Sequence, residues 1–274
     1  MSLPRQPSID WSPPRGVEHR GSLAARVLGD GPPVVLLHGL VGSGVYWGGA
    51  FDAIADRHRL VVPDLLGFGR SPRPAHGYTA QDHVAALVAC LDEVGAVGAA
   101  VVGAHSAGTA VALRLAVTHP ERVRAVVAFG PPLYPTPESA RSHLAAMGPM
   151  ARVFTLPGPL AAAACRWVCN HRSLAARIAV VTHPRLPPAV AADSVQHTWW
   201  SYTETLQSLI LSAEAQRWLS GVRCPVQLVA GDRDPVTDLT YLETLGIPLA
   251  VWRGDHHLPL RYPSMCADLV AASA

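Results

Sequence analysis

Charge is scarce in this chain. Only 15% of its 274 residues are charged, the formal net charge is +2, and no block of like charges occurs. Such a pattern gives no expectation of a nucleic-acid groove or a polybasic membrane surface. No apolar run reaches the roughly 18 residues that a membrane-crossing helix needs, so no span is expected. The first twenty residues, MSLPRQPSIDWSPPRGVEHR, hold four prolines and no apolar core, which argues against a signal peptide there. A soluble cytoplasmic protein with a small-molecule partner is the expectation. A disulfide framework is lacking too: the five cysteines, Cys90, Cys165, Cys169, Cys224 and Cys266, are odd in number and scattered through apolar segments, so they read as buried thiols. Cys165, Cys169 and His171 lack an evident fourth ligand, and cysteines four apart in an alanine-rich helix read as core residues. Neither a metal nor a cofactor is expected.

Apolar residues, by contrast, make up 49% of the chain, enough for a large core in one domain or in a domain with an insertion. Short β-like runs alternate with helical patterns, the sequence form of a parallel α/β sheet. The runs are VVLLHG (34–39), RLVVPD (59–64), AAVVGAH (99–105), RAVVAFG (124–130), VQLVAGD (226–232) and LAVWRGD (249–255). Each ends in Gly, Asp or His, where parallel sheets gather their ligands. GVEHRG and SLAARVLG predict an antiparallel hairpin at the sheet edge. Between the second and third main strands a helix is predicted with Thr79 as N-cap and Asp82 as its capping-box partner. Val84, Leu87, Val88 and Leu91 form its buried face, and Gly95 ends it. From Pro131 to Ala215 the strand rhythm stops. About 85 residues without a strand are too many for a structureless loop, so 131–215 is expected to fold as a helical cap over a core of 1–130 and 216–274. AVVTH (179–183) is the one run there that reads as a possible strand.

The stretch VVGAHSAGTA (101–110) places Ser106 between an apolar strand and a helical run, with Ala104, Ala107 and Gly108 beside it. A nucleophile elbow needs that arrangement, because small residues two before and two after the serine let strand and helix backbones nearly touch. The usual pattern is G-x-S-x-G, and here Ala104 takes the first glycine's place. Ser106 could equally cap the helix. Chain order separates the two readings. A triad of this architecture runs serine, acid, histidine; AGDRDPVTD supplies Asp232 and Asp234, and GDHHLPLRYP supplies His256 and His257. A serine hydroxyl needs an imidazole to take its proton, and the imidazole needs a carboxylate to fix its tautomer. The oxyanion needs backbone donors, for which the amides of Ala107 and Leu40 are the candidates, with Gly39 as neighbour.

These segments together resemble the α/β-hydrolase superfamily. LLHGLVGSGVYW is similar to its oxyanion loop, VVPDLLGFGRSPRP to its glycine-rich D-x-x-G-x-G-x-S segment, AHSAG to its elbow, AGDRDPVTD to its acid turn and GDHHLPLRYP to its histidine loop. The resemblance implies an α/β-hydrolase fold, a mostly parallel sheet flanked by helices with an inserted cap. It places the acid three residues after Gly231, at Asp234 rather than Asp232, and the histidine seven before Pro263, at His256. Ser106 is the implied nucleophile, and because epoxide hydrolases and haloalkane dehalogenases of the superfamily carry an aspartate there, a serine argues for chemistry at an acyl carbon. A serine hydrolase forming an acyl-enzyme on a carboxylic ester is the expected activity. Thioester, lactone or carbon–carbon cleavage, acyl transfer and a binding protein on the same scaffold are the alternatives. His38, Asp64 and Arg70 read as braces of the site. Gly39, His105, Trp199 and His257 are expected to line the substrate pocket. With Trp167, Trp200, Met147, Met150 and Phe154 in the cap, and His197 near them, an apolar acyl substrate is expected.

Overall fold

A computed structural model describes residues 7–147 and 158–274. Eight strands form one sheet: β1 (Val17–Arg20), β2 (Ala24–Leu28), β3 (Pro33–Leu37), β4 (Arg59–Pro63), β5 (Ala100–His105), β6 (Val123–Phe129), β7 (Val226–Gly231) and β8 (Leu249–Trp252). Their order is β1-β2-β4-β3-β5-β6-β7-β8. The β1–β2 hairpin pairs antiparallel to β4, and the remaining pairs are parallel. The expected α/β-hydrolase architecture is therefore present, with each predicted strand found within a few residues of its run.

The central strands are apolar on both faces because both faces are covered. Val35 and Leu37 of β3, with Val102 and Ala104 of β5, point into one core; Val34, Leu36 and Val101 point into the other. Helix α1 (Ala80–Glu93) starts in the predicted capping box, with Thr79 Oγ1 accepting from the Asp82 amide and the Asp82 carboxylate accepting from the Thr79 amide. Val84, Leu87 and Leu91 are buried, while Val88 is half-buried. Helix α2 (Gly108–Thr118) follows β5 directly.

Between β6 and β7 the regular elements of the described residues are all helical: α3 (Pro137–Ala146), α4 (Pro159–Asn170), α5 (Arg172–Thr182), α6 (Pro188–Asp193), α7 (Trp199–Leu206), which runs on into a π-helical turn (Gln207–Leu211), and α8 (Ala215–Leu219). AVVTH, the possible strand, is the end of α5. Its alternation is too short to outweigh the helical period of the residues before it. Several bonds tie this segment to the sheet side: Ser43 Oγ donates to Asp193 (2.7 Å), the Ala80 amide donates to Ser208 Oγ (2.9 Å), and Glu204 accepts from the amides of Gly77 and Tyr78. The chain closes with α9 (Leu239–Thr244), α10 (Leu258–Arg261) and α11 (Pro263–Ala272).

All five cysteines are free. Cys90, Cys165 and Cys266 are buried as expected, but Cys169 and Cys224 are only half-buried. The thiol of Cys169 donates to the carbonyl of His197 (3.4 Å). No cluster of three or more metal-ligating side chains occurs among the described residues, and none of their helices is long and apolar enough to cross a membrane.

Candidate active site

The strand order reverses between β3 and β5, so the loops leaving these neighbouring strands diverge and open a crevice at their carboxyl ends. Residues 38–42 form one wall of it and Ser106 the other. Ser106 has φ +52°, a left-handed conformation that costs an L-residue about 1–2 kcal/mol. Its amide donates to the carbonyl of Phe129 (2.9 Å), which pins the turn to β6. Ser106 caps nothing: α2 begins with Ala107 at its N-cap and no side-chain capping bond. The small neighbours have their own causes. A Cβ on Gly108 would lie 2.7 Å from the His38 carbonyl oxygen and 2.8 Å from that of Leu37, so only glycine lets α2 cross β3 this closely. Ala104, by contrast, turns its methyl group into the core, where it is fully buried.

The oxyanion-loop candidates are shaped by His38. Its Nδ1–H donates to the Gly39 carbonyl (2.7 Å) while Nε2 accepts from the Leu65 amide (2.8 Å), so the ring is a neutral brace, and burial lowers its pKa. Val41 is also left-handed (φ +54°), rare for a β-branched residue. Among the described residues neither the Leu40 nor the Ala107 amide donates to a protein acceptor. Ala107 is buried, and a buried amide without a partner calls for one. Asp64 is structural: it accepts from the amides of Gly44 (2.6 Å) and Arg70 (2.7 Å). Ser71 Oγ joins that loop to β2 through the Ala24 amide (2.9 Å).

Asp234 follows β7 and His256 follows β8, and the two meet. His256 Nδ1 lies 2.9 and 3.0 Å from the carboxylate oxygens of Asp234, which also accept from the Val236 amide (2.8 Å) and Thr237 Oγ1 (2.8 Å). Burial alone would raise the Asp234 pKa, but the charge and hydrogen bond of His256, with the Val236 and Thr237 donors, hold it at about 2. A carboxylate can only accept, so Nδ1 carries the hydrogen and Nε2 is left as a base. Asp232 does something else: its half-exposed carboxylate accepts from the Gly254 amide (2.8 Å) and so joins the turns after β7 and β8.

Gly130 sits beside this pair at φ +57°, where a Cβ would lie 3.0 Å from both Asp234 Oδ2 and His256 Nδ1. Gly130→Ala is expected to lower the melting temperature by a few degrees through left-handed strain of about 1 kcal/mol. It should also reduce kcat by pushing the carboxylate and ring apart. Unchanged kcat in a folded Gly130→Ala protein would contradict this.

The expected pocket residues divide. A Cβ on Gly39 would lie 2.9 Å from Ser106 Cβ, so Gly39 borders the serine. His105 enters a buried stack: its ring lies 4.4 Å from Tyr46 at 18°, its Nε2–H donates to the His256 carbonyl (2.9 Å), and its Nδ1 has no partner. Tyr46 was not singled out by its sequence; it comes into place through a turn about sixty residues away. His257 contacts Tyr46 and His105 and lines a surface cleft of about 380 Å³ with His183, Arg185 and Arg261. Trp199 is half-buried at the first turn of α7. Trp167 and Trp200 are exposed, stacked or tilted against His171 and His76 respectively. His197 packs against Phe68 and Tyr202. Met147 is exposed, and Met150 and Phe154 lie outside the described residues.

Three histidines near these contacts, His83 buried and His197 and His257 half-buried, are held neutral. Burial lowers His83 to about 3, and His197 and His257 to about 4, the charge of His256 adding to the effect at His257. Below pH 6.5 the unfolded chain takes up protons that the folded chain refuses, so stability present above pH 6.5 is lost progressively down to pH 4. At about 1.4 kcal/mol per pH unit for each ring, the loss by pH 5 is about 2 kcal/mol each. Thermal unfolding from pH 7.5 to 5 should therefore show a flat region and then a steep fall. A melting temperature constant across that range would contradict buried, neutral rings.

The chain matches the family described as alpha/beta hydrolase fold over residues 32–250. It is 26% identical over 226 residues to a probable lysophospholipase, BODYGUARD 2 of Arabidopsis thaliana, covering 73% of this chain and 48% of that protein. It is 41% identical over 106 residues to 2-hydroxymuconate semialdehyde hydrolase of Pseudomonas putida, covering 37% of each chain. The chain thus spans about half the length, or less, of these curated relatives. Among solved structures it resembles E-2-(acetamidomethylene)succinate hydrolase with a TM-score of 0.73 and 19% identity, over 94% of this chain and 98% of that one. That identity supports the fold alone.

Proposed function

Because the chain belongs to the alpha/beta hydrolase fold family, we propose that it is a hydrolase working through a serine acyl-enzyme, with Ser106 as nucleophile, His256 as base and Asp234 as orienting acid. The observation that carries this reading is the left-handed turn at Ser106, a strain that a helix cap would not require. Ser106 Oγ attacks the acyl carbon as His256 Nε2 takes its proton, and the new imidazolium is stabilised by Asp234, which is ionised at neutral pH. The amides of Leu40 and Ala107 receive the negative oxygen of the tetrahedral intermediate. Collapse expels the alcohol, to which His256 returns the proton. Water, activated by the same imidazole, then cleaves the acyl-enzyme and restores the serine.

In this reading residues 131–215 act as a cap over the crevice, and an apolar acyl compound is the substrate class. Ester cleavage is preferred to carbon–carbon cleavage because the lysophospholipase relative matches 73% of the chain and the 2-hydroxymuconate semialdehyde hydrolase 37%. Stopped-flow hydrolysis of a short p-nitrophenyl ester tests the proposal. A burst of p-nitrophenol close to one equivalent per protein, or turnover lost with Ser106, is expected. Turnover that survives removal of Ser106 would overturn it.

A further inference from the structure

The charge that is sparse over the whole chain is unevenly placed. Residues 139–192 contain six arginines and no aspartate, glutamate or lysine, so the net +2 of the chain is the balance of +6 here and −4 elsewhere. Arg166, Arg177 and Arg185 of this segment are exposed and form no ion pair among the described residues. Helix α5 adds an apolar stripe. Leu174, Ile178 and Val181 follow each other at spacings of four and three, so they share one face. They are 50%, 44% and 77% exposed, while Ala175 and Ala179 on the adjacent face are buried. Arg177 flanks the stripe. Trp167, 43% exposed, stands on His171 where α4 meets α5.

We propose that α5 lies on an anionic lipid surface, with Leu174, Ile178 and Val181 among the acyl chains and the arginines at the phosphates. An exposed apolar face edged with unpaired cations is the signature of an interfacial helix. The like-charge blocks that mark a polybasic surface in a sequence are absent; folding instead leaves dispersed arginines without any acid between them. A second copy of the chain is the poorer occupant. Two-fold association through α5 would set the same cationic patch against itself, with no acid in the segment to neutralise it. The negative remainder of the chain orients the molecule with this segment toward the lipid. Beyond Val181 the chain turns through His183–Leu186 along the cleft that His257 lines, so docking brings that cleft to the lipid level. This last consequence for substrate access rests on the proposed hydrolase activity; the docking does not.

Co-sedimentation of the full chain with vesicles tests the proposal. Binding is expected to vesicles of phosphatidylglycerol and phosphatidylcholine mixed equally, not to phosphatidylcholine alone, and to weaken in high salt. Arg166→Gln with Arg177→Gln should weaken it about 30-fold, or about fivefold for each charge removed. Ile178→Asp with Val181→Asp should weaken it at least about tenfold while leaving the melting temperature and the hydrolysis of a soluble ester unchanged. Four outcomes would overturn it: no binding to anionic vesicles, equal binding to neutral ones, a marked fall in melting temperature for the aspartate pair, or a wild-type dimer in sedimentation velocity that the aspartate pair makes monomeric. Ser106→Ala protein should still bind, so failure of the hydrolase reading and failure of docking are separable.

Discussion

Ser106→Ala is expected to lower kcat for a p-nitrophenyl ester by about a million-fold, with binding of the ester almost unchanged. The size of the loss comes from the interdependence of the parts: without an Oγ, the base at His256 has no proton to take and the amides of Leu40 and Ala107 have no oxyanion to hold. Stability should respond differently. Alanine keeps a Cβ in the left-handed turn, so Ser106→Ala leaves the strain at φ +52° in place. Ser106→Gly removes it, and should raise stability by about 1 kcal/mol while being equally inactive. A position where glycine stabilises and activity disappears is one where the fold bears strain for the sake of a hydroxyl held at the crevice. If Ser106→Ala retained activity within about tenfold of the native protein, the nucleophile would lie elsewhere.

Asp234→Asn is expected to cost about 10,000-fold in kcat. The amide can present its NH2 to His256 Nδ1, which then accepts, and the hydrogen moves to Nε2, the atom that has to act as base. The other partners can be kept: an asparagine oxygen in the place of Oδ1 still accepts from the Val236 and Thr237 amides, and Thr237 Oγ1, which donates to Oδ2 in the native protein, can turn to accept from the NH2. The folded protein should therefore survive while its chemistry fails. Asp232→Asn is the control. Its carboxylate bonds the Gly254 amide and is half-exposed, so the substitution should change kcat by less than about tenfold. Comparable losses at both positions would remove the distinction between them. Because the Asp234 pKa is about 2, its protonation cannot set the acid limb of the ester-hydrolysis profile at ordinary pH.

The parts of this architecture that local chemistry dictates were legible in the chain. The continuous apolar run Val34, Val35, Leu36 and Leu37 fits a strand covered on both faces, and Thr79 and Asp82 fix the start of α1. Chain order likewise made candidates of Ser106, of Asp232 and Asp234, and of His256 and His257, and the family resemblance pointed to Asp234 and His256. The structure adds the 2.9 Å approach between the last two, made across separate strand ends. What was not legible depends on contacts between distant segments. The stacking of Tyr46 on His105 joins a turn after β3 to the end of β5, and no spacing along the chain reports it. The tight place of Gly130 beside Asp234 and His256 arises from three strand ends meeting. The tryptophans misled for a related reason: large apolar residues predict burial, yet Trp167 and Trp200 remain about half exposed. Ala104, the departure from the elbow pattern, costs nothing visible, because its methyl group faces the core and not the crossing that Gly108 permits.

The central claim is that Ser106 becomes covalently acylated, and its most direct test is peptide mapping after treatment with a fluorophosphonate. One adduct per chain is expected, on the peptide that contains Ser106, absent from the Ser106→Ala protein and formed much more slowly in Asp234→Asn. An intact, folded protein that takes no label, or that carries it on another residue with Ser106 free, would contradict it.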